Sequence, residues 1–522
     1  MQNPSTGELI AAPPRARDRL EDAAVAAEHG SFHSITSADQ EFQSIDSGEG
    51  SSTPPPLART PEPSRKWRDI FWLAVFVLHL LGLGLCLAIL GMDRFRGLNR
   101  FKKLDRLSSS GNDKTEFYWP MYATAAAIGS VLAWLWLSLL CLRADQMVKI
   151  VVHSVTTYLA VIAVFCFWHI QIFWGIVFAV GAFVQFLYSM SVMDRLPFTM
   201  LVLRKSVGLV WAMPSAIRVS YGFLAVMLMW MVIWTFGVSG VVASGMEKND
   251  GLHWWVLVVL SVSLFWTGAI VCNTLHVVVA GLVTLVLRQG APGAPPMPRH
   301  PLLRTLRHAV TTSLGSICYG SLFTAAIRTL RWAIRGLRSQ IGKNECLLCC
   351  VDFLFNMVET LVRFFNKYAY VQVATYGKGY NHAARDAWEL FQLTGVEALI
   401  AYDLSGAVLL MGIVLGGLIT GTCVGIWVWF ARRDRVVVVG ATSMLMGMIL
   451  VGLTLVVVES TVTSIYVCYA EDPALISRWD PDFAEHMTEI LHQRLQHRSG
   501  RAVPTHVARV QLPKPLPEVR QT

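Results

Sequence analysis

Residues 346–372 read CLLCCVDFLFNMVETLVRFFNKYAYVQ, one membrane-length helix with Asp352, Asn356, Glu359, Arg363, Asn366 and Tyr370 at offsets of 0, 4, 7, 11, 14 and 18. At 3.6 residues per turn those six fall on one face, while the remaining faces stay largely apolar. An ionisable group in hydrocarbon is costly, so such a seam must face protein or a wet cavity. It therefore marks a helix inside a membrane bundle and makes its inward face a candidate solute pathway. A purely structural reading stands beside this one. Glu359 and Arg363 are four apart and could neutralise each other, letting a polar helix insert.

Working outward, the chain has 522 residues, 54% of them hydrophobic and 15% charged, with a mean hydropathy of +0.48. That balance departs from soluble averages toward the class with long apolar runs. Runs of about 18 or more apolar residues, enough to cross a bilayer, recur at 70–91, 119–141, 149–168, 171–193, 216–238, 252–274, 308–327, 346–372, 397–429 and 436–468. The expected fold is all-α, a polytopic membrane helical bundle of about ten transmembrane helices with both termini on one side. The first apolar run lies behind a polar stretch and reads as a signal anchor, not a cleaved leader.

Three regions follow. Residues 1–64, rich in Ser, Pro and acidic groups, are expected to be a disordered tail. Residues 65–470 form the transmembrane domain. Residues 471–522 form a tail with one short amphipathic helix, read from the spacing of Phe483, Met487, Ile490, Leu491 and Leu495. Phe198 to Trp211, with Arg204 and Lys205 and then Pro214, suits a helix lying in the membrane interface. The net charge of +9 sits mostly in short loops and helix ends, where basic groups meet lipid headgroups; nucleic acid is not an expected partner. Loop charge does not settle orientation, because the 92–118 and 328–338 stretches are as basic as the loops on the other side.

No large soluble catalytic domain is left over, and the chain lacks a nucleophile elbow, an HExxH helix, a Walker loop and a dinucleotide-binding glycine pattern in a suitable context. Cys346, Cys349 and Cys350 have a CxxC-like spacing with no second ligand pair, which favours packing or lipidation over a metal. Neither an enzyme nor a cofactor is expected.

Other apolar runs carry polar faces of their own. Trp266, Asn273, His276 and Ala280 share one face, at offsets of 0, 7, 10 and 14. A lone membrane histidine is more often an interhelical hydrogen-bond partner than a ligand or proton carrier. Glu459, with Thr463 and Tyr466 along the same side, needs a partner among its valines. Ser313 to Leu322 contains Gly315, Ser316 and Gly320, which permit close approach or a broken helix, and broken helices mark binding sites in many transporters. Gly417, Gly421 and Gly425, four apart, suit close helix packing or a sliding contact.

Taken together, several of these elements resemble the choline transporter-like family, including its fungal and protist members. The resemblance runs from about 195 to 472. It rests on Arg195-Leu-Pro-Phe198, Phe265-Trp-Thr267 with Asn273, His276, Ala280 and Gly281, Ser313 to Leu322, and Glu359 with Asn366, Ala369, Tyr370, Tyr376, Gly377 and Lys378. Ala384, Asp386, Ala387, Asp403, and Glu459 with Cys468-Tyr-Ala-Glu-Asp472 complete it. The chain departs from the family in its short 92–118 loop without a glycosylation acceptor, in Ala383 where a serine is common, and in Thr463 where an acidic residue is found.

The resemblance implies a gradient-driven secondary transporter of choline or a related small amine, with ten helices and cytosolic termini, most naturally in the plasma membrane and otherwise in an organellar one. A quaternary ammonium donates no ordinary hydrogen bond and is held by aromatic faces and a carboxylate. The expected substrate-binding residues are Trp266, Tyr319, Glu359, Asn366, Tyr370 and Tyr376, with Glu359 as counter-charge. Asn273, His276, Arg363 and Glu459 are expected to orient helices or couple protons. Membrane lipids and a small cationic amine are the expected partners. Two rival readings are a non-transporting scaffold or lipid-handling protein on the same bundle, and a membrane acyltransferase using His276.

Overall fold

Every regular element among the described residues is helical. The computed structural model describes residues 66–105, 118–168, 170–247, 252–289, 296–341, 345–431 and 436–499. Neither the 1–64 tail, of which nothing is described, nor the last part of the C-terminal tail falls within that set. The first helices are α1 (Ile70–Asp105), α2 (Tyr118–Leu142), α3 (Ala144–Trp168) and α4 (Ile172–Val192). A 3₁₀ turn at Met193–Arg195 leads into α5 (Leu196–Ala212), which Pro214 separates from α6 (Pro214–Glu247). Then come α7 (Leu252–Arg288), α8 (Pro301–Val310), α9 (Leu314–Ile341), α10 (Glu345–Tyr376), α11 (Tyr380–Thr394) and α12 (Val396–Tyr402). The chain continues through α13 (Ser405–Ala431), α14 (Val436–Glu471), α15 (Pro473–Trp479) and α16 (Pro481–Ser499).

Seven stretches are long and apolar enough to cross a membrane, or eight if the bent pair α8 and α9 counts as one. By that measure the expected ten are not reached. The described apolar part of α1, Ile70–Leu85, is short, and most side chains in the first half of α10 lie outside the described residues. Burial orders the bundle from inside to outside. In α7, 78% of the most apolar stretch is buried, against 11% in Ile172–Ala212, so α7 lies at the centre and α4 offers its side chains outward. Phe173, Phe183 and Phe186 are exposed accordingly, as lipid-facing apolar groups are. The sequence reading of α5 as an interface helix meets a helix with one packed side, where Phe198, Val202, Leu203 and Val210 are buried.

Helix ends follow from local chemistry. Asp472-Pro473 and Asp480-Pro481 each place a capping carboxylate before a proline that needs no donor. Asp472 accepts from the Ala474 amide at 2.9 Å and Asp480 from the Phe483 amide at 3.0 Å. Asp403 does the same at the start of α13, accepting from the Ser405 amide at 3.0 Å, which divides the span expected at 397–429 into α12 and α13. The amphipathic helix expected in the C-terminal tail is α16, whose Phe483, Met487 and Leu491 are buried. A Cβ on Gly417 or Gly421 would collide with α14 at Met448 or Met444, so those glycines pack α13 on α14, whereas Gly425 meets nothing within 4 Å.

Candidate functional site

The polar face of α7 is answered mainly by α9. Asn273 donates through Nδ2 to Ser321 Oγ at 2.8 Å and reaches the Tyr370 hydroxyl of α10 at 3.4 Å. Asn366 donates to the Gly320 carbonyl and to Thr324 Oγ1, both at 3.1 Å, and its Oδ1 accepts from the Tyr380 hydroxyl of α11. Burial pushes the Tyr380 phenol up to about 12, so it is a neutral donor there. Four helices thus converge on an uncharged amide and hydroxyl cluster, with Asn366 and Tyr370 both buried. Interhelical bonds of this kind contribute about 1 kcal/mol each. Gly320 is required by the fit, since a Cβ would collide with the Tyr380 ring and the Tyr370 hydroxyl.

Two turns along α7 from Asn273 stands an aromatic group. Trp266 is buried and donates its indole N–H to the Cys318 carbonyl at 3.1 Å. Its ring meets Phe76 and His79 of α1, with centroids 5.2 and 5.1 Å away. Tyr319 stacks on Trp72 of α1 at 4.9 Å and meets Phe323 and Tyr380 edge-on at 5.2 and 5.4 Å.

Of the two arrangements open to residues 313–322, close approach or a break, a break lies just before Gly315. Helices α8 and α9 bend by 61° across Thr311–Ser313. What holds it is a residue the sequence reading passed over. Asp69 takes a left-handed backbone, φ 51°, which is uncommon for a residue with a side chain. Its Oδ2 accepts from Ser316 Oγ at 2.5 Å and from the Tyr380 amide at 3.1 Å. The Arg68 amide donates to the Thr312 carbonyl at 3.2 Å, and a Cβ on Gly315 would collide with the Arg68 carbonyl. The chain just before α1 is therefore seated in the break, clamping α9 to the start of α11.

The ionisable candidates are engaged across helices. Glu359 is buried and accepts from Arg328 Nε of α9 at 2.7 Å; the side chains of Asp352, Asn356 and Arg363 lie outside the described residues, so the expected pair with Arg363 is not among the contacts seen. Glu459 lies 3.9 Å from Lys367. His276 Nε2 is 2.9 Å from the Lys367 carbonyl, and its own carbonyl accepts from Ser460 at 2.8 Å. A carbonyl only accepts, so Nε2 carries the ring proton there, and the bond joins α7 to α10.

Tyr376 does not join the aromatic group. Its hydroxyl accepts from Arg288 at 2.7 Å, and Arg288 and Lys378 lie 5.1 and 4.6 Å from its ring centroid. Arg288 also donates to Glu471 at 2.5 Å, and Gln372 donates to the other oxygen of that carboxylate at 2.9 Å. This ionic cluster ties together the ends of α7, α10 and α14. Among the described residues no group of His, Cys, Asp and Glu side chains is arranged to hold a metal; the side chains of Cys346, Cys349 and Cys350 lie outside them.

Residues 176–474, more than half of the chain, match the family model described as plasma-membrane choline transporter. The chain belongs to the choline transporter-like family. It is similar to a CTL-like protein of Dictyostelium discoideum, 28% identical over 368 residues, covering 69% of this chain and 64% of that protein. It is also similar to Protein PNS1 of Cryptococcus neoformans, 24% identical over 471 residues, covering 83% and 84%, and to Protein PNS1 of Candida albicans, 38% identical over 152 residues. The chain therefore spans just under two thirds of the Dictyostelium relative.

Membership in the choline transporter-like family supports a membrane transporter, and the matched range includes α7 through α14, the helices that supply the amide cluster. It begins at 176, so Asp69, Trp72, Phe76 and His79 reach this cluster from outside the matched stretch. Sequence reasoning missed them for a physical reason. A tryptophan, phenylalanine and histidine in an apolar run look like ordinary membrane aromatics until the packing partner is known. The spacing of Trp72, Phe76 and His79, at offsets 0, 4 and 7, was the available signal.

Proposed function

We propose that the chain is a secondary membrane transporter of choline or a related small amine, driven by an ion gradient. The observation that carries this reading is the convergence, from the middle of α7, the first turns of α9 and the last third of α10, of uncharged amide and hydroxyl groups beside a tryptophan and tyrosine set. A quaternary ammonium is held by aromatic faces at about 0.5 to 2 kcal/mol per contact, with little need for a hydrogen-bond acceptor. Trp266 and Tyr319 supply those faces, and Tyr370, Asn273 and Asn366 fix the helices that carry them. The carboxylates contribute at longer range. Glu359 is tied to Arg328, and Glu459, with Lys367 as its neighbour, is the group best placed to exchange a proton during transport. The plasma membrane is the location we assign, from the description of the matching family.

The test is uptake of labelled choline into proteoliposomes holding the full chain, with imposed pH gradients. Uptake above protein-free vesicles is expected, and Trp266→Ala is expected to weaken apparent affinity by about tenfold, equal to one strong cation–π contact. A scaffold or lipid-handling protein would show no uptake and no amine-dependent thermal stabilisation for any member of a small amine panel, and that result would overturn the proposal.

A further inference from the structure

Buried polar atoms without a partner are rare in folded proteins, and each calls for an explanation such as a bound molecule. Four of them lie on α1, α6 and α7, at helix positions whose neighbouring contacts bring them to about the level of Trp266. Among the described residues, His79 Nε2, Trp230 Nε1, Ser263 Oγ and Thr267 Oγ1 are buried with no hydrogen-bond partner. Their level is fixed by contacts on either side. Trp234 of α6 donates to the Leu260 carbonyl of α7 at 3.0 Å, and Met227 Cε of α6 lies 3.3 Å from where a Cβ on Gly268 would stand. Trp230 lies midway between those contacts on α6, hence opposite Ser263 and Thr267 on α7. His79 reaches the same level from α1, its ring 5.1 Å from that of Trp266.

This level therefore holds aromatic faces together with polar atoms short of hydrogen-bond partners. A hydrophobic filler would leave the four polar atoms orphaned, and a simple tetraalkylammonium would do the same. A small amine carrying both a quaternary nitrogen and a hydroxyl matches both halves. The hydroxyl both donates and accepts, which is what a neutral imidazole nitrogen of either tautomer and two serine or threonine hydroxyls can answer.

We infer that the layer joining α1, α6 and α7 is the hydroxyl-reading end of the amine site, with His79 as the specificity-determining residue and Trp266 as the face for the ammonium. This rests on the transport reading above and adds to it the residues that tell a hydroxyl-bearing amine from one without a hydroxyl. A site built to hydrogen-bond a substrate hydroxyl rejects the analogue that lacks it, because its own buried polar groups stay unpaired.

The experiment compares binding and uptake of choline with those of ethyltrimethylammonium, its analogue without the hydroxyl, on the purified full chain. The wild-type protein is expected to prefer choline by about tenfold or more, the effect of one well-made hydrogen bond to a buried group. His79→Phe keeps the ring against Trp266 and removes both nitrogens; it should lower choline affinity by about tenfold and leave ethyltrimethylammonium within about twofold. His79→Gln should restore part of the preference. Thr267→Val, of nearly equal volume, gives the same readout should the His79 variants fail to fold. Equal losses for the two amines in these variants, or a wild-type protein that binds both equally, would overturn the inference and leave the transport reading standing. A wild-type protein that neither binds nor moves either amine would overturn both.

Discussion

The middle of the bundle and the end where α7, α10 and α14 finish are built from opposite materials. In the middle, Asn273, Ser321, Asn366, Tyr370 and Tyr380 are uncharged and bonded to one another or to backbone carbonyls. At the end, Arg288, Glu471, Lys378 and Asp386 carry full charges, paired at 2.5 and 2.6 Å. The difference follows from solvation. A full charge is far more expensive to desolvate than an amide or a phenol, so charges collect where water or headgroups are near. Where the chain does place charge partway along a helix, it pairs it across helices, as Glu359 with Arg328, two turns from Asn366. The middle can thus accept a passing cation without a competing fixed charge among these five residues, while the end holds helices together.

That contrast is open to breakage, most sharply at Arg288. Removing one member of a buried ion pair strands the other, so Arg288→Ala should destabilise the purified protein by about 3–5 kcal/mol, read as a large fall in thermal midpoint. Replacing both Arg288 and Glu471 by methionine should recover most of that loss, since no charge is then stranded. Should the single change prove harmless, the end cluster is ornamental and the contrast fails. A smaller effect is expected in the middle. Asn366→Leu leaves the Gly320 carbonyl, Thr324 and the Tyr380 hydroxyl without their partner, a loss of about 1–3 kcal/mol by the same assay. An effect equal to that of Arg288→Ala would mean that the neutral cluster, and not the ionic one, holds the bundle. The smallest change is expected for Lys378→Ala. Its pair with Asp386 is about a third exposed on each side, so the loss should stay under about 1 kcal/mol and shrink further in high salt.

Part of this arrangement was legible before any coordinates. Helical spacing predicts an inward seam on α10, and its described members Glu359, Asn366 and Tyr370 are buried, while Asn366, Asn273 and His276 are bonded across helices. Tyr376 looked like one more wall of the same chamber because it continues the helix by less than two turns from Tyr370. Those six residues of rise carry it to the helix end, where Arg288 claims it. Asp69 was illegible for a different reason. One aspartate before an apolar run has no periodicity to read, and its partners Ser316 and Tyr380 lie 247 and 311 positions away.

The sequence by itself determined that this chain lives in a membrane, which segments are helices and which of their faces turn away from lipid. Those properties are sums over neighbouring residues, since transfer from water and the 3.6-residue turn act locally. Only the tertiary structure decided that Arg328 answers Glu359, that Asp69 sits in the break of α9, and that α1 brings Trp72, Phe76 and His79 against Tyr319 and Trp266. Hydrogen bonds and ring contacts act over a few ångströms, and which distant residues come that close is set by how the helices pack.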